Sequence, residues 1–368
     1  MNLEHAVFDV WLSTVFPVGS TLPKQLVERF GSAEELFRSG KDELDFGSDS
    51  STIKLAFEVQ DLSWAKSIIT RCEKEQVGIL LYPSYPQLLK EIPDPPTVLY
   101  YKGTIERLER ILITVVGTRN PDSDGRRIAR LYSEGLTRAN LQIVSGFAQG
   151  IEAEIHKNIK STIAVLPNGI NVTYPSNHWR LKKEILEHDG LLITEFGFDM
   201  RALPQNFRFR NRILAGLSPA SLIIQSPARS GTAHTFGSAG DYGRDCYVVP
   251  GSIFNPKYEG SLNMLKDGGM VTTCPEDIIS QYQFQYPDQI QWDAPKCEPA
   301  PKQFETSGND LFDENERKIL EALSGRVMQI DEIAVKTDLA VNTVAAVLTN
   351  LEIMGYVEKL MGNRYQIK

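Results

Sequence analysis

Three short segments, far apart in the chain, bring together small residues, hydroxyls and a cation in a pattern suited to holding an anion. They are Gly117-Thr118-Arg119, Ser145-Gly146 with Gln149 close behind, and Ser230-Gly231-Thr232. Backbone N–H groups at a helix start favour phosphate, and arginine adds a charge-assisted donor. Any one of these segments taken alone is equally well read as a tight turn; their recurrence favours anion binding. Neither GxGxxG after the first strand nor GxxxxGK[ST] anywhere is present, so a standard mononucleotide site is not indicated.

A denser cluster lies at Arg201, Phe207, Arg208, Arg210, Asn211 and Arg212, with no acidic residue from Met200 to Arg229. Four arginines within twelve residues, interrupted by Phe207 and Phe209, combine phosphate neutralisation with flat faces for bases. The bland alternative is a basic surface loop. Exposed phenylalanines gain nothing unless something covers them, which favours binding.

The elements that must position these residues alternate. Ile111 to Val116 is a β-branched apolar run that reads as a buried strand, and a helix bearing Ile128, Leu131 and Leu136 follows. Further strands are expected at 141–144, 162–166, 191–194, 221–225, 246–249 and 270–273, with a helix at 275–279. Strands alternating with helices imply a doubly wound, mostly parallel α/β sheet, whose ligands sit at the carboxyl ends of the strands.

Residues 1–75 read as a small helical domain, with segments at 6–16, 22–30, 53–59 and 64–74 and Ser32 capping SAEELF through Glu35. The stretch VFPVGSTLPKQLVERFGSAEELF resembles a helix-hairpin-helix. Residues 76–280 form the sheet domain, entered through GILLYPSYPQLLKEIPDPPTVLYYKG, whose five prolines make a rigid connection. Residues 281–310 read as a Gln- and Pro-rich linker. Residues 311–368 read as a winged helix, with helices at 314–323, 330–336 and 341–354 and a wing from 356 to 365. Its third helix carries no Lys or Arg, and the domain has seven Lys/Arg against nine Asp/Glu. Readers of the major groove bring cations to phosphates, so a protein-contact role is at least as well supported there.

The chain has 368 residues, 42% hydrophobic and 23% charged, with a formal charge of −8. That balance argues against nonspecific binding of polyanions by the whole surface but permits a local basic site. Cys72, Cys246, Cys274 and Cys297 show no CxxC spacing, so neither a metal site nor a disulfide framework is expected and a reducing cytoplasm is the simplest home. No run approaches ~18 apolar residues, so no membrane span is expected.

With these residues in view, the chain resembles the DprA/Smf family (DNA processing protein A) over nearly its whole length. The resemblance is carried by VVGTRN with Gly125, SGFAQGIEAEIH, TIAVLPNGINVTYPSNH, FRFRNRILAGLS, SGTAHT with a later GR, and VVPG followed by GSLNML. It implies a Rossmann-like domain that binds single-stranded DNA, forms a homodimer and helps load the RecA recombinase during natural transformation. It places Arg119, Arg208, Arg210 and Arg212 at the DNA, offers backbone contacts from Ser145 and Gly146, and makes Phe207 the stacking candidate. Gly117, Thr118, Gln149, Asn211, Ser230, Gly231 and Thr232 complete the candidate site. The chain departs from the family where GFAQGIE replaces GxARGID, where 156–162 is short, and where Gln225 replaces a common acid.

Two other classes compete. A nucleotide-hydrolysing enzyme would draw on His156, Glu195, His234 and Asp241, but no Ser-His-Asp order, metal spacing or Walker motif supports it. No cofactor is expected. A pure protein adaptor has no reason to gather arginine and phenylalanine beside the GTR loop.

Overall fold

A computed structural model describes residues 3–39, 60–290, 292, 312–360 and 362–367. It divides into two compact units, 1–292 and 293–368. The expected helix at 53–59 and most of the expected linker lie outside the described residues.

The first unit is built on a nine-stranded sheet. Its strands are β1 (Gly78–Leu81), β2 (Val98–Gly103), β3 (Leu112–Val116), β4 (Gln142–Ser145), β5 (Ile163–Val165), β6 (Leu191–Thr194), β7 (Ala220–Ile223), β8 (Asp245–Val248) and β9 (Met270–Val271), in the order β1-β2-β6-β5-β4-β3-β7-β8-β9. The seven strands from β6 to β9 run parallel, while β1 and β2 add an antiparallel edge. The order turns at β3: successive strands lie to one side up to β6, then the chain crosses to place β7 on the other. Ligands of open α/β sheets sit at such a switch point.

Both faces are covered, because side chains alternate along each strand. Ile113 and Val115 pack with Tyr132, Leu136, Ile155 and Ile278 on one face. Leu112 and Val116 pack with Ile213, Leu214 and Leu217 on the other. Along the Ser123–Arg138 helix the buried stripe is Ala129, Tyr132 and Leu136, whereas Leu131, expected inside, is 51% exposed. Tyr132 wins the inward position because its hydroxyl finds Thr272 Oγ1 at 2.8 Å.

The N-terminal helices, expected as a domain of their own, share a core with the sheet. Val7, Val10, Trp11, Leu26 and Leu36 cluster with Tyr100, Phe147, Ala164 and Leu192. Ser32 accepts from the Glu35 N–H, as its spacing predicts. At the other end, the Pro275–Gln285 helix runs past its expected stop at 279. Tyr282 and Ile290 are both 1% exposed, so the chain stays docked well beyond residue 281.

The second unit holds helices Glu314–Leu323, Ile330–Thr337 and Val341–Ile353 and a small antiparallel sheet of Met328–Gln329, Val357–Leu360 and Arg364–Ile367. Ile319, Leu323, Ile333, Val344, Leu348, Val357 and Tyr365 form its core. This is the winged-helix arrangement, with one short strand that the sequence pattern does not announce. No helix among the described residues is long and apolar enough to cross a membrane.

The helix that carries the arginine cluster is tied to the sheet by Thr114. Its buried hydroxyl donates to Leu214 O at 2.6 Å and lies 2.9 Å from Ser218 Oγ. Thr114→Val keeps the shape but leaves the Leu214 carbonyl without that donor, and should lower the unfolding free energy by about 1–3 kcal/mol in urea denaturation.

Candidate nucleic-acid interface

The loops that leave β3, β4 and β7 meet the Pro204–Leu217 helix around a pocket of about 310 Å³. Gly117, Thr118 and Arg119 form one wall, Ala148 and Glu152 another, and Phe207, Arg210 and Asn211 a third. Pro227 and residues 229–232 with Thr235 close it. Two of the three small-residue segments, 117–119 and 230–232, therefore converge with the arginine helix at the switch point, whereas Ser145, Gly146 and Gln149 do not line the pocket.

The loop geometry follows from local sequence. Thr118 N–H donates to Gln225 O at 2.7 Å, extending the β3–β7 pairing one step past the strands. The Thr118 carbonyl accepts from Ile151 N–H at 3.1 Å, which starts the Ile151–Asn158 helix against the same loop. Gly150, at φ +88°, brings the backbone so close that a Cβ would lie 2.3 Å from Thr118 O. Asn211 donates to Gly231 O at 3.2 Å and joins the helix to the residue 230–232 loop. There Thr232 Oγ1 sits 2.6 Å from Ser226 Oγ and 2.8 Å from Ser230 Oγ.

The basic residues divide into two groups. Arg119, Arg208 and Arg229 are exposed and make no ion pair with a described residue. The Arg119 guanidinium lies 4.4 Å over the Phe207 ring, and Tyr174 meets that ring edge-on at 5.7 Å. Arg210 and Arg212, expected to face phosphate, are 1% and 5% exposed. Arg210 pairs with Glu152 at 3.6 Å and donates to Val165 O at 2.7 Å. Arg212 pairs with Glu195 and, at 3.3 Å, with Asp94. Their physical job is internal, because a buried guanidinium is tolerated only beside a carboxylate.

The remaining candidates sort by exposure. Gln149 is open to solvent, whereas Ser145 is buried and donates to Val115 O at 2.6 Å. Gly146 is required because a Cβ there would lie 1.9 Å from Arg210 Nη1. Phe209 turns away from the pocket and packs against Gly19, whose added Cβ would stand 2.7 Å from its ring. Sequence reasoning missed Tyr174 and Arg229. The signal for Arg229 was its position directly before Ser230-Gly231-Thr232; Tyr174 carried none beyond a Tyr-Pro step.

The four groups weighed for catalysis do not meet. His156 is fully buried, with Nε2 donating to the Gly146 carbonyl and Nδ1 accepting from Thr162 Oγ1 at 2.6 Å, and burial pushes its pKa down to about 4. A carbonyl can only accept, so the neutral Nε2–H tautomer is fixed. Burial raises the Glu195 carboxyl to about 7 against the pull of Arg212. His234 and Asp241 line a different groove beside Arg208.

The family profile described as DNA recombination-mediator protein A matches residues 76–283, and a DprA winged helix domain profile matches 298–363. The chain is 33% identical to Protein Smf of Synechocystis over 99% of both chains, and 31% identical to Protein Smf of Escherichia coli, covering 81% of this chain and 80% of that one. The DNA processing protein A structure from Streptococcus pneumoniae superposes with a TM-score of 0.64 at 27% identity, over 75% of this chain and 97% of that one. Its counterpart from Helicobacter pylori, described by its single-stranded DNA binding mode, superposes at 0.53 with 24% identity, over 57% and 97%. The two profiles and these relatives make this a DNA-processing protein with a C-terminal winged helix. The chain belongs to the DprA/Smf family.

Two outcomes follow from the buried groups. Arg212→Ala strands Glu195 in the interior and should cost about 3–5 kcal/mol, whereas Arg119→Ala should stay within about 0.5 kcal/mol of wild type in the same denaturation series. His156 takes up a proton only near pH 4 in the fold but near 6.5 when unfolded. Its contribution is therefore complete above 6.5 and lost as pH falls toward 4, by up to ~3 kcal/mol; His156→Gln should remove that part of the acid sensitivity.

Proposed function

We propose that the chain binds single-stranded DNA at the pocket between β3 and β7, without marked sequence preference. The observation that carries this reading is the Arg119 guanidinium stacked on Phe207 at the mouth of a pocket whose exposed arginines lack acidic partners. Phosphates would meet Arg119 and Arg229 at the pocket and Arg208 in the groove next to it. Bases would meet exposed Tyr174 and the outer face of the Arg119 guanidinium that lies on half-buried Phe207, each stack contributing about 1–3 kcal/mol. Thr118, Gln149 and the residue 230–232 loop supply polar contacts that ignore base identity. Arg210, Asn211 and Arg212 hold the wall in shape rather than touch the strand.

Binding is preferred to turnover because His156 is sealed and neutral, Glu195 is closed off by Arg212, and His234 and Asp241 open elsewhere. The Helicobacter pylori relative's described binding mode and the family's role support the wider setting. In it, the protein works as a cytoplasmic homodimer that guards incoming strands and helps load RecA during natural transformation. In the winged-helix unit, Val341, Asn342, Ala346, Thr349 and Asn350 face solvent without a cation, which supports a protein contact there in place of groove reading.

A salt titration with labelled oligonucleotides tests this. Single strands should bind more tightly than duplex. Arg119→Ala should flatten the salt slope by about one unit. Phe207→Ala should weaken binding by about 1–3 kcal/mol with the slope kept. Equal affinity for duplex would remove the stacking component.

A further inference from the structure

The connection leaving β8 presents two apolar side chains to water on a firmly bonded frame. Ile253 and Phe254 are 78% and 90% exposed. The backbone around them is nonetheless fixed: Phe254 N–H donates to Ser252 Oγ at 3.2 Å and Asn255 N–H to Ser252 O at 3.0 Å. The Asn255 side chain accepts from Lys257 N–H at 3.1 Å and donates to Asp122 Oδ2 at 3.0 Å. Six residues on, Ser261 N–H donates to Ser226 O at 3.0 Å, and Ser261 Oγ accepts from Ser226 N–H at 3.0 Å.

The connection is thus fastened to two of the loops that wall the pocket, those after β3 and β7. Asp122 lies three residues beyond Arg119, and Ser226 adjoins the pocket residue Pro227. In the order β3-β7-β8 it leaves the strand two places from β3, and the Asn255–Asp122 bond brings it against the end of the loop that begins at Arg119. Arg127, exposed on the helix that Asp122 caps, makes no ion pair with a described residue. An exposed aromatic on a hydrogen-bonded frame that is fastened to the pocket's own loops matches what an unpaired polynucleotide uses.

We propose that Phe254, with Ile253 beside it, is a second base-stacking position for the DNA single strand on the β8 side of the pocket; this rests on the single-strand reading above. The strand then runs from Phe207 across the pocket to Phe254, and contact with Phe254 requires a strand longer than the pocket alone accepts.

The test uses the full chain and oligothymidylates of about 4 and about 16 nucleotides. Phe254→Ala should weaken the longer oligonucleotide about 5- to 150-fold, leave the shorter one unchanged, and keep the thermal midpoint. Phe254→Trp should restore tight binding, and its added indole emission should be quenched by the longer strand. Wild-type affinity of Phe254→Ala for the longer strand, or emission of Phe254→Trp unmoved at saturation, would overturn the proposal. A change in sedimentation of the DNA-free protein on Phe254→Ala would also overturn it, since the pair would then cover a second copy. Failure of the underlying reading is distinct: wild type itself would bind neither oligonucleotide, and Arg119→Ala would change nothing.

Discussion

The site depends on one buried ion pair. Arg210 reaches from the Pro204–Leu217 helix beneath the pocket to Glu152, on the helix that follows β4, and to the last carbonyl of β5. Glu152 in turn accepts from Ala148 N–H at 2.8 Å and so shapes the loop after β4. Removing either partner would leave a charge in the interior, so the pair holds three elements in one arrangement. Phe207, three residues before Arg210 on the same helix, inherits its position from that anchor. The Gly146 carbonyl and His156 close the network from below.

A second anchor, Arg212 with Glu195 and Asp94, holds the far side of the helix. The two internal arginines fix the scaffold from which the exposed ones project. A wall fixed before ligand arrives loses little conformational freedom on binding, which favours affinity. The bonds from Asp122 to Gln225 and Asn255 extend the same rigidity along the rim.

The sheet and its rim were legible in the sequence, because each strand is a β-branched run that stops at small polar residues. The direction in which each arginine points was not. RFRNR announces a basic segment, yet the partners that bury Arg210 and Arg212 lie at positions 152, 195 and 94, which only the tertiary fold brings near. The same limit applies to Phe207 and Phe209: one faces the pocket and the other Gly19, and helical periodicity alone does not say which. The N-terminal helices show it again, since an amphipathic stripe reveals that a face is buried but not that Tyr100 and Leu192 bury it.

Gln225 carries a consequence for the electric field at the rim. Its amide donates to Asp122 Oδ2 at 2.9 Å and accepts from Asp122 N–H at 3.2 Å, a two-way bond that a carboxylate could not make. A carboxylate at this buried position would face Asp122 across a hydrogen-bond distance, so the neutral amide spares the rim a repulsion between two like charges and lets Asp122 keep its ionised form.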